Sequence, residues 1–179
     1  MKSGAFAVEE KEWLEVVDEF NLPFAVMTRE AVHHFQLLHR SVFVVFYSAQ
    51  GKLYLQQRQK DKEVHPGCWD ISAAGHVLAG ESRLEAAMRE LNEELGVEPP
   101  KLYPVLELPG SVQTEYEFVS LFRTGLCRQT PQPDPSEVAS GMFLECHEVD
   151  YLVKNYTHLL TPGLVFFWQR GVLFSGLDR

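Results

Sequence analysis

The stretch Gly75–Val97, GHVLAGESRLEAAMRELNEELGV, decides how the rest of the chain is read. From Glu81 to Gly96 it carries helical periodicity. With Leu84 at 0° and about 100° per residue, Met88, Leu91 and Leu95 fall within roughly 40° of it, and Ala87 lies beside them. This stripe is expected to face the core. Glu90, Glu93 and Glu94 fall at roughly 240°, 180° and 280°, a separate arc about 100° wide. Gly96 supplies a stop signal, with Pro99 and Pro100 beyond it.

Carboxylates three and four positions apart repel one another, and these sit at the negative end of the helix dipole. A helix selected only for stability would carry Lys or Arg there. A solvated acidic face is the ordinary explanation of such a run. Clustered oxygens are also what a hard divalent cation such as Mg²⁺ requires, and a diphosphate can complete its coordination.

The spacing around the helix adds to this. Gly75 is followed after five residues by Glu81, and after seven more by Arg89-Glu90-Leu91-Asn92-Glu93-Glu94-Leu95-Gly96-Val97. The pattern GX5EX7REUXEEXGU, with U a bulky aliphatic residue, resembles the Nudix box at every specified position. With seven fixed residue types at roughly 7% each, chance agreement at one start is on the order of 10⁻⁸.

The resemblance implies an α/β (α+β) chain, a Nudix-type α/β/α sandwich with a mixed central sheet. It implies a divalent-metal-dependent hydrolase that cleaves a diphosphate linkage by attack of water on phosphorus, with Mg²⁺ as cofactor and Mn²⁺ as a substitute. Glu90 and Glu94 are the expected metal ligands. Glu93 is a further ligand or the base that orients water, and Gly75 offers a carbonyl and a close backbone approach. Arg89 is expected to hold a glutamate in place, with Glu81 as its partner, and Val97 to pack into the sheet. A nucleoside diphosphate or related small organic diphosphate is the implied substrate class, and a homodimer is consistent with the family.

Outward from the box, Trp13–Val17 and Phe24–Thr28 read as two short strands around Asn21–Pro23. Arg40–Tyr47, RSVFVVFY, has the composition of a strand buried on both faces. Lys52–Arg58 alternates like its returning partner after the Gln50–Gly51 turn, and Trp69–Val77 reads as extended. Lys101–Leu108, Glu115–Thr124 and Met142–Cys146 are further strands; His147–Tyr156 and Pro162–Leu173 are closing helices, with Pro162 in a first turn. On a strand Glu115 and Glu117 would share one face. Either could then serve as an additional ligand or base, with Glu137, after the Pro-rich loop, as a rival.

The flanks resemble a particular branch of the family, that near isopentenyl-diphosphate isomerase. Val16-Val17-Asp18-Glu19, Leu38-His39-Arg40-Ser41, Pro66-Gly67, Trp69-Asp70 and Ala74-Gly75-His76 carry this likeness, as does Thr161-Pro162-Gly163. His33, His39 and His76 approximate the isomerase's histidine ligands, and Glu115-Tyr116-Glu117 its paired carboxylates. The isomerase chemistry needs a cysteine immediately before the Gly-His pair, where this chain has Ala74. The box that the isomerase lacks is complete here. Hydrolysis is therefore the reading preferred over an isomerase-like enzyme or a binding module that recognises phosphate without cleaving it.

Bulk properties agree with this. A chain of 179 residues with 45% hydrophobic content suits one domain, expected over residues 11–179 after a lead-in of residues 1–10. A net charge of −9 argues against long nucleic acid as a partner. Cys68, Cys127 and Cys146 form neither a disulfide framework nor a zinc pattern. The first residues lack the apolar core of a signal peptide and no apolar run is long enough for a membrane span, so a cytoplasmic protein is expected. Phe35, Tyr54, Trp69, Tyr116 and Phe118 are aromatic candidates for stacking on a nucleobase, or for core and rim packing.

Overall fold

The structure is a computed structural model that describes residues 11–176; the lead-in expected for residues 1–10 lies outside the described residues. The chain opens with an antiparallel hairpin of β1 (Trp13–Val17) and β2 (Pro23–Thr28). Its turn is held by Asp18, whose Oδ1 accepts from the amides of Phe20 and Leu22. One hairpin face, Leu14, Val16, Ala25 and Met27, packs on Val32, Leu37 and Leu78. A short helix follows, α1 (Arg29–His34), capped by Thr28. The sequence reading places no helix here, because six residues are fewer than two turns and show no readable period.

The chain continues through β3 (His39–Ser48), β4 (Leu53–Arg58), β5 (Trp69–Asp70), β6 (Ala73–His76), α2 (Arg83–Leu95), β7 (Leu102–Leu108), β8 (Glu117–Cys127) and β9 (Val138–Leu144). It closes with α3 (Cys146–Asn155) and α4 (Pro162–Gln169). Strands β3 to β9 form one seven-stranded mixed sheet. β3 lies at its centre, parallel to β8 and antiparallel to β4 and β6; β9 and β5 pair with β4, and β7 with β8.

β3 has two buried faces, as its composition predicts. Val42, Val44 and Phe46 meet Ala86, Ala87, Leu91 and Leu95 of α2, joined by Val97. Val45 and Tyr47, with Leu53 and Leu121, meet Val149 of α3 and Leu164 and Phe167 of α4. Helices therefore cover both faces of a mixed sheet, which is the expected α/β/α sandwich. No helix among the described residues is long and apolar enough to cross a membrane.

Several expectations need correction. Leu84 is about half exposed rather than core. Ala86 and Ala87 let α2 approach the sheet on their side, which turns the buried arc toward Glu94 and leaves Leu84 outside. The last strand begins at Val138, not Met142, and Cys146 already belongs to α3. Ala139, Ser140 and Gly141 show no apolar alternation, so the pattern conceals the strand; a side chain at Gly141 would collide with the Tyr54 ring. α4 stops at Gln169 rather than Leu173, with Gly171 in the left-handed region at φ 67°. Glu115 precedes β8: it and Tyr116 have φ of 53° and 65°, so Glu115 and Glu117 do not share a strand face.

Candidate active site and metal centre

Helix α2 is fixed at both ends. Ser82 accepts from the Glu85 amide at 3.2 Å and its own amide donates to Glu85 Oε2 at 2.8 Å, a reciprocal cap. At the other end Gly96 takes the left-handed conformation, φ 61°, and donates to the Asn92 carbonyl. No basic residue occupies the last turn. Instead the Pro-rich loop supplies donors: Gln132 N to the Leu95 carbonyl at 2.7 Å and Asp134 N to the Glu94 carbonyl at 2.9 Å.

Arg89 is the hub of the acidic face. Its Nε and one terminal nitrogen donate to the two Glu81 oxygens at 2.9 and 3.0 Å, and that second nitrogen also reaches the His76 carbonyl at 2.9 Å. The remaining nitrogen donates to Glu90 at 2.7 Å and Glu93 at 2.9 Å. Glu81 lies just before the helix cap, where its Oε2 also accepts from the Leu78 amide. One guanidinium thereby sets the position of three carboxylates and ties them to β6.

The three glutamates of the arc differ in depth. Glu93 has 57% of its side chain exposed, Glu90 has 13%, and Glu94 is buried. Glu90 rests against Gly75 so closely that an added Cβ would lie 2.0 Å from Glu90 Oε1. Glu94 accepts only from neutral donors, Gln56 Nε2 at 2.7 Å and Ala74 N at 3.3 Å. Burial pushes the Glu90 carboxyl up to about 7; Arg89 opposes the rise and Glu93 adds to it. Burial raises Glu94 well above the ordinary carboxylate range, and the neighbouring charge of Glu90 raises it further. Two buried like-charged carboxylates over a side-chain-free backbone fit a hard divalent cation, whose charge would relieve both burdens.

Behind β6 lies a second cluster. Gly75 faces α2, while the next side chain, His76, projects to the other side of the strand. There His33, His39, His76 and Glu117 bring ligand atoms within 4.8 Å of one another. His33 and His76 approach Nε2 to Nε2 at 3.0 Å, and Glu117 Oε1 lies 3.6 Å from both His39 and His76. His39 Nδ1 lies 2.9 Å from the Leu37 carbonyl, which requires the proton on that nitrogen. Its buried Nε2 has no hydrogen-bond partner. Burial, with the charges of His76 and His39, lowers His33 to about 4, so it is neutral at pH 7. Burial opposes ionisation of Glu117, yet His39 and His76 hold its carboxyl well below the ordinary range. Three imidazoles, one of them neutral, and an ionised carboxylate fit a transition ion, which favours imidazole donors.

The structure brings Gly75, Arg89, Glu90, Glu93 and Glu94 together and separates the other candidates. Glu117 turns to the histidines, not to the acidic helix. Glu115 sits in the turn before β8 and is absent from the cluster. Glu137 pairs with Lys62 across two loops. Of the aromatic candidates, Tyr54 is buried in the core and Trp69 packs partly buried beside α4, whereas Phe35 is exposed. Tyr116 donates to Gln36 Oε1 at 3.2 Å. Gln56 and the Ala74 amide, which hold Glu94, carry no signal in the sequence beyond ordinary strand residues. The three cysteines are free.

Comparison with known proteins accords with this geometry. The NUDIX domain profile matches residues 37–161. An isopentenyl-diphosphate Delta-isomerase of Streptomyces griseus is 34% identical over 154 residues, covering 82% of this chain and 78% of that protein. An uncharacterised Nudix hydrolase of Yersinia pestis is 41% identical over 86 residues, and the match spans about half of each chain, 48% and 47%. Among solved structures, DR0079 of Deinococcus radiodurans superposes with a TM-score of 0.76 at 24% identity, over 89% of this chain and 98% of that one. The fold, the complete box and the profile match together establish that the chain belongs to the NUDIX domain family and is a Nudix hydrolase.

Proposed function

We propose that this hydrolase cleaves the diphosphate linkage of a small organic diphosphate, with a nucleoside diphosphate as the leading class, and that it does so in the cytoplasm with Mg²⁺ or, as a substitute, Mn²⁺. The observation that carries this reading is the mutually repelling pair of Glu90, mostly buried against Gly75, and Glu94, buried beside the Ala74 amide. Glu90 and Glu94, with the Gly75 carbonyl and Glu93, would hold the ion. When bound, it supplies charge neutralisation at the diphosphate oxygens and a lowered pKa for water.

The chain's own groups then divide the work. Arg89 fixes Glu90 and Glu93 from one nitrogen, which limits where their oxygens can go. Glu93, the solvent-facing member, takes the proton of the attacking water. Oxygen of that water forms a new bond to one phosphorus as the bridging P–O bond breaks, and the leaving phosphate carries away the bond pair. The cluster of His33, His39, His76 and Glu117 would hold a second ion, of the transition type.

An isomerase-like reading is the alternative, favoured by the Streptomyces relative and by the histidine cluster. Against it stands Ala74, an unreactive side chain immediately before Gly75, where that proton shift requires a thiol.

The test is turnover in D₂¹⁸O of a library of nucleoside, sugar and isoprenoid diphosphates. Hydrolysis at phosphorus places one ¹⁸O in a phosphate-bearing product. An intact diphosphate that gains solvent deuterium instead would transfer the assignment to the isomerase-like reading. Binding without any product would transfer it to a recognition module.

A further inference from the structure

Gln56 places a polar side chain where packing alone would favour an apolar one. It lies on β4, paired with Asp70 on one side and Gly141 on the other, and only 3% of it is exposed. Leu53, Tyr54 and Leu55 before it are buried too. Strand alternation puts Gln56 on the face of Tyr54, which packs in the core beneath α2. An amide buried there costs free energy unless hydrogen bonds replace those it made to water. A position that only filled space would carry Val, Ile or Leu.

The amide is committed to one atom. Gln56 Nε2 donates to Glu94 Oε2 at 2.7 Å, and the Ala74 amide donates to the same oxygen at 3.3 Å. Among the described residues no group donates to Glu94 Oε1, so one oxygen is held and the other is left for a ligand. The ordinary partner of a buried carboxylate is a cation. The same helix has one, since Arg89 donates to Glu81, Glu90 and Glu93. Among the described residues Glu94 receives no charged donor, although it is buried. A neutral donor orients a carboxylate and keeps its charge. An ammonium or guanidinium in the same place would cancel that charge.

We infer, on the reading of Glu94 as a metal ligand, that Gln56 is a positioning residue of this hydrolase. It fixes Glu94 Oε2 without neutralising it, leaves Oε1 and the negative charge to a divalent ion, and so sets the affinity of the acidic helix for that ion. Gln56 acts through Glu94 and touches neither ion nor substrate in this role. Strand β4 is paired along both edges at Gln56, so the donor is held in place before any ion arrives. The ordering of Glu94 is then no part of the cost of binding. Groups that hydrogen-bond a metal ligand in this way typically contribute about 10–100-fold in metal affinity.

Mn²⁺ binding to the full-length protein, followed by the electron paramagnetic resonance of the free ion, tests this. The site that Glu94→Gln abolishes is the one to follow. Gln56→Met is close in volume and lacks the donor. It is expected to weaken that site about 10–100-fold and to raise the Mn²⁺ concentration for half-maximal turnover by the same factor. Gln56→Lys keeps a donor and adds a charge, so it is expected to bind Mn²⁺ more weakly still. Circular dichroism checks that both variants fold, and Gln56→Met decides alone where Gln56→Lys does not. A packing role would leave Mn²⁺ affinity at the parental value in every folded variant. Parental affinity in Gln56→Met, beside a site lost in Glu94→Gln, overturns the inference and leaves the metal platform standing. Mn²⁺ binding that is unchanged in Glu94→Gln overturns the platform and the inference with it.

Discussion

Glu90 shows how a single side chain carries both a cost and a function. Burial pushes its carboxyl up to about 7 from an ordinary 4.5. A carboxyl raised on folding holds a proton that the unfolded chain has already released. Its contribution to stability is present below about 4.5 and is lost as pH rises through about 7, a change on the order of 3 kcal/mol. Glu90→Gln removes this dependence. The metal-free variant is expected to gain stability relative to the metal-free parent between pH 5 and pH 8, measured by urea unfolding at both ends. A difference that does not move with pH contradicts the account of Glu90. At this scale the sequence was most informative: the spacing named Gly75, Arg89, Glu90, Glu93 and Glu94, and the structure gathers all five. It misled at Glu115, because left-handed backbone at a non-glycine residue leaves no pattern in the letters.

Between elements the informative contact is β6 against α2. Strand β6 presents a glycine where the helix presents Glu90, and presents His76 one residue later to the other side. Two centres are thereby built on the two faces of four residues. Gly75→Ala is expected to keep the fold, since its backbone demands no positive φ, but to drive Glu90 from its seat. A displacement of about 1 Å costs roughly 10²-fold in turnover. The check is kcat together with circular dichroism, and an alanine variant with parental kcat contradicts the close-approach argument. The sequence made the long elements legible, because β3 and α2 have strong periods. It concealed α1, too short for a period, and the first half of β9, where Ala139, Ser140 and Gly141 replace the apolar alternation. The missed α1 matters, since it carries His33 into the histidine cluster.

The whole molecule is an α/β/α sandwich with two separated side-chain clusters, one of carboxylates on α2 and one of histidines with Glu117. Recognition of the substrate's organic part belongs to loops that the box does not specify, which is why the sequence names a reaction and not a substrate. The central claim is that Glu90, Glu93 and Glu94 form a metal platform for diphosphate hydrolysis. The most direct test is phosphate-product release against Mg²⁺ concentration for the parent and for Glu90→Gln, Glu93→Gln and Glu94→Gln. The account predicts Mg²⁺-dependent release by the parent and losses of roughly 10²–10⁴-fold in the variants with the fold intact. Parental rates in all three variants at saturating Mg²⁺ would contradict it.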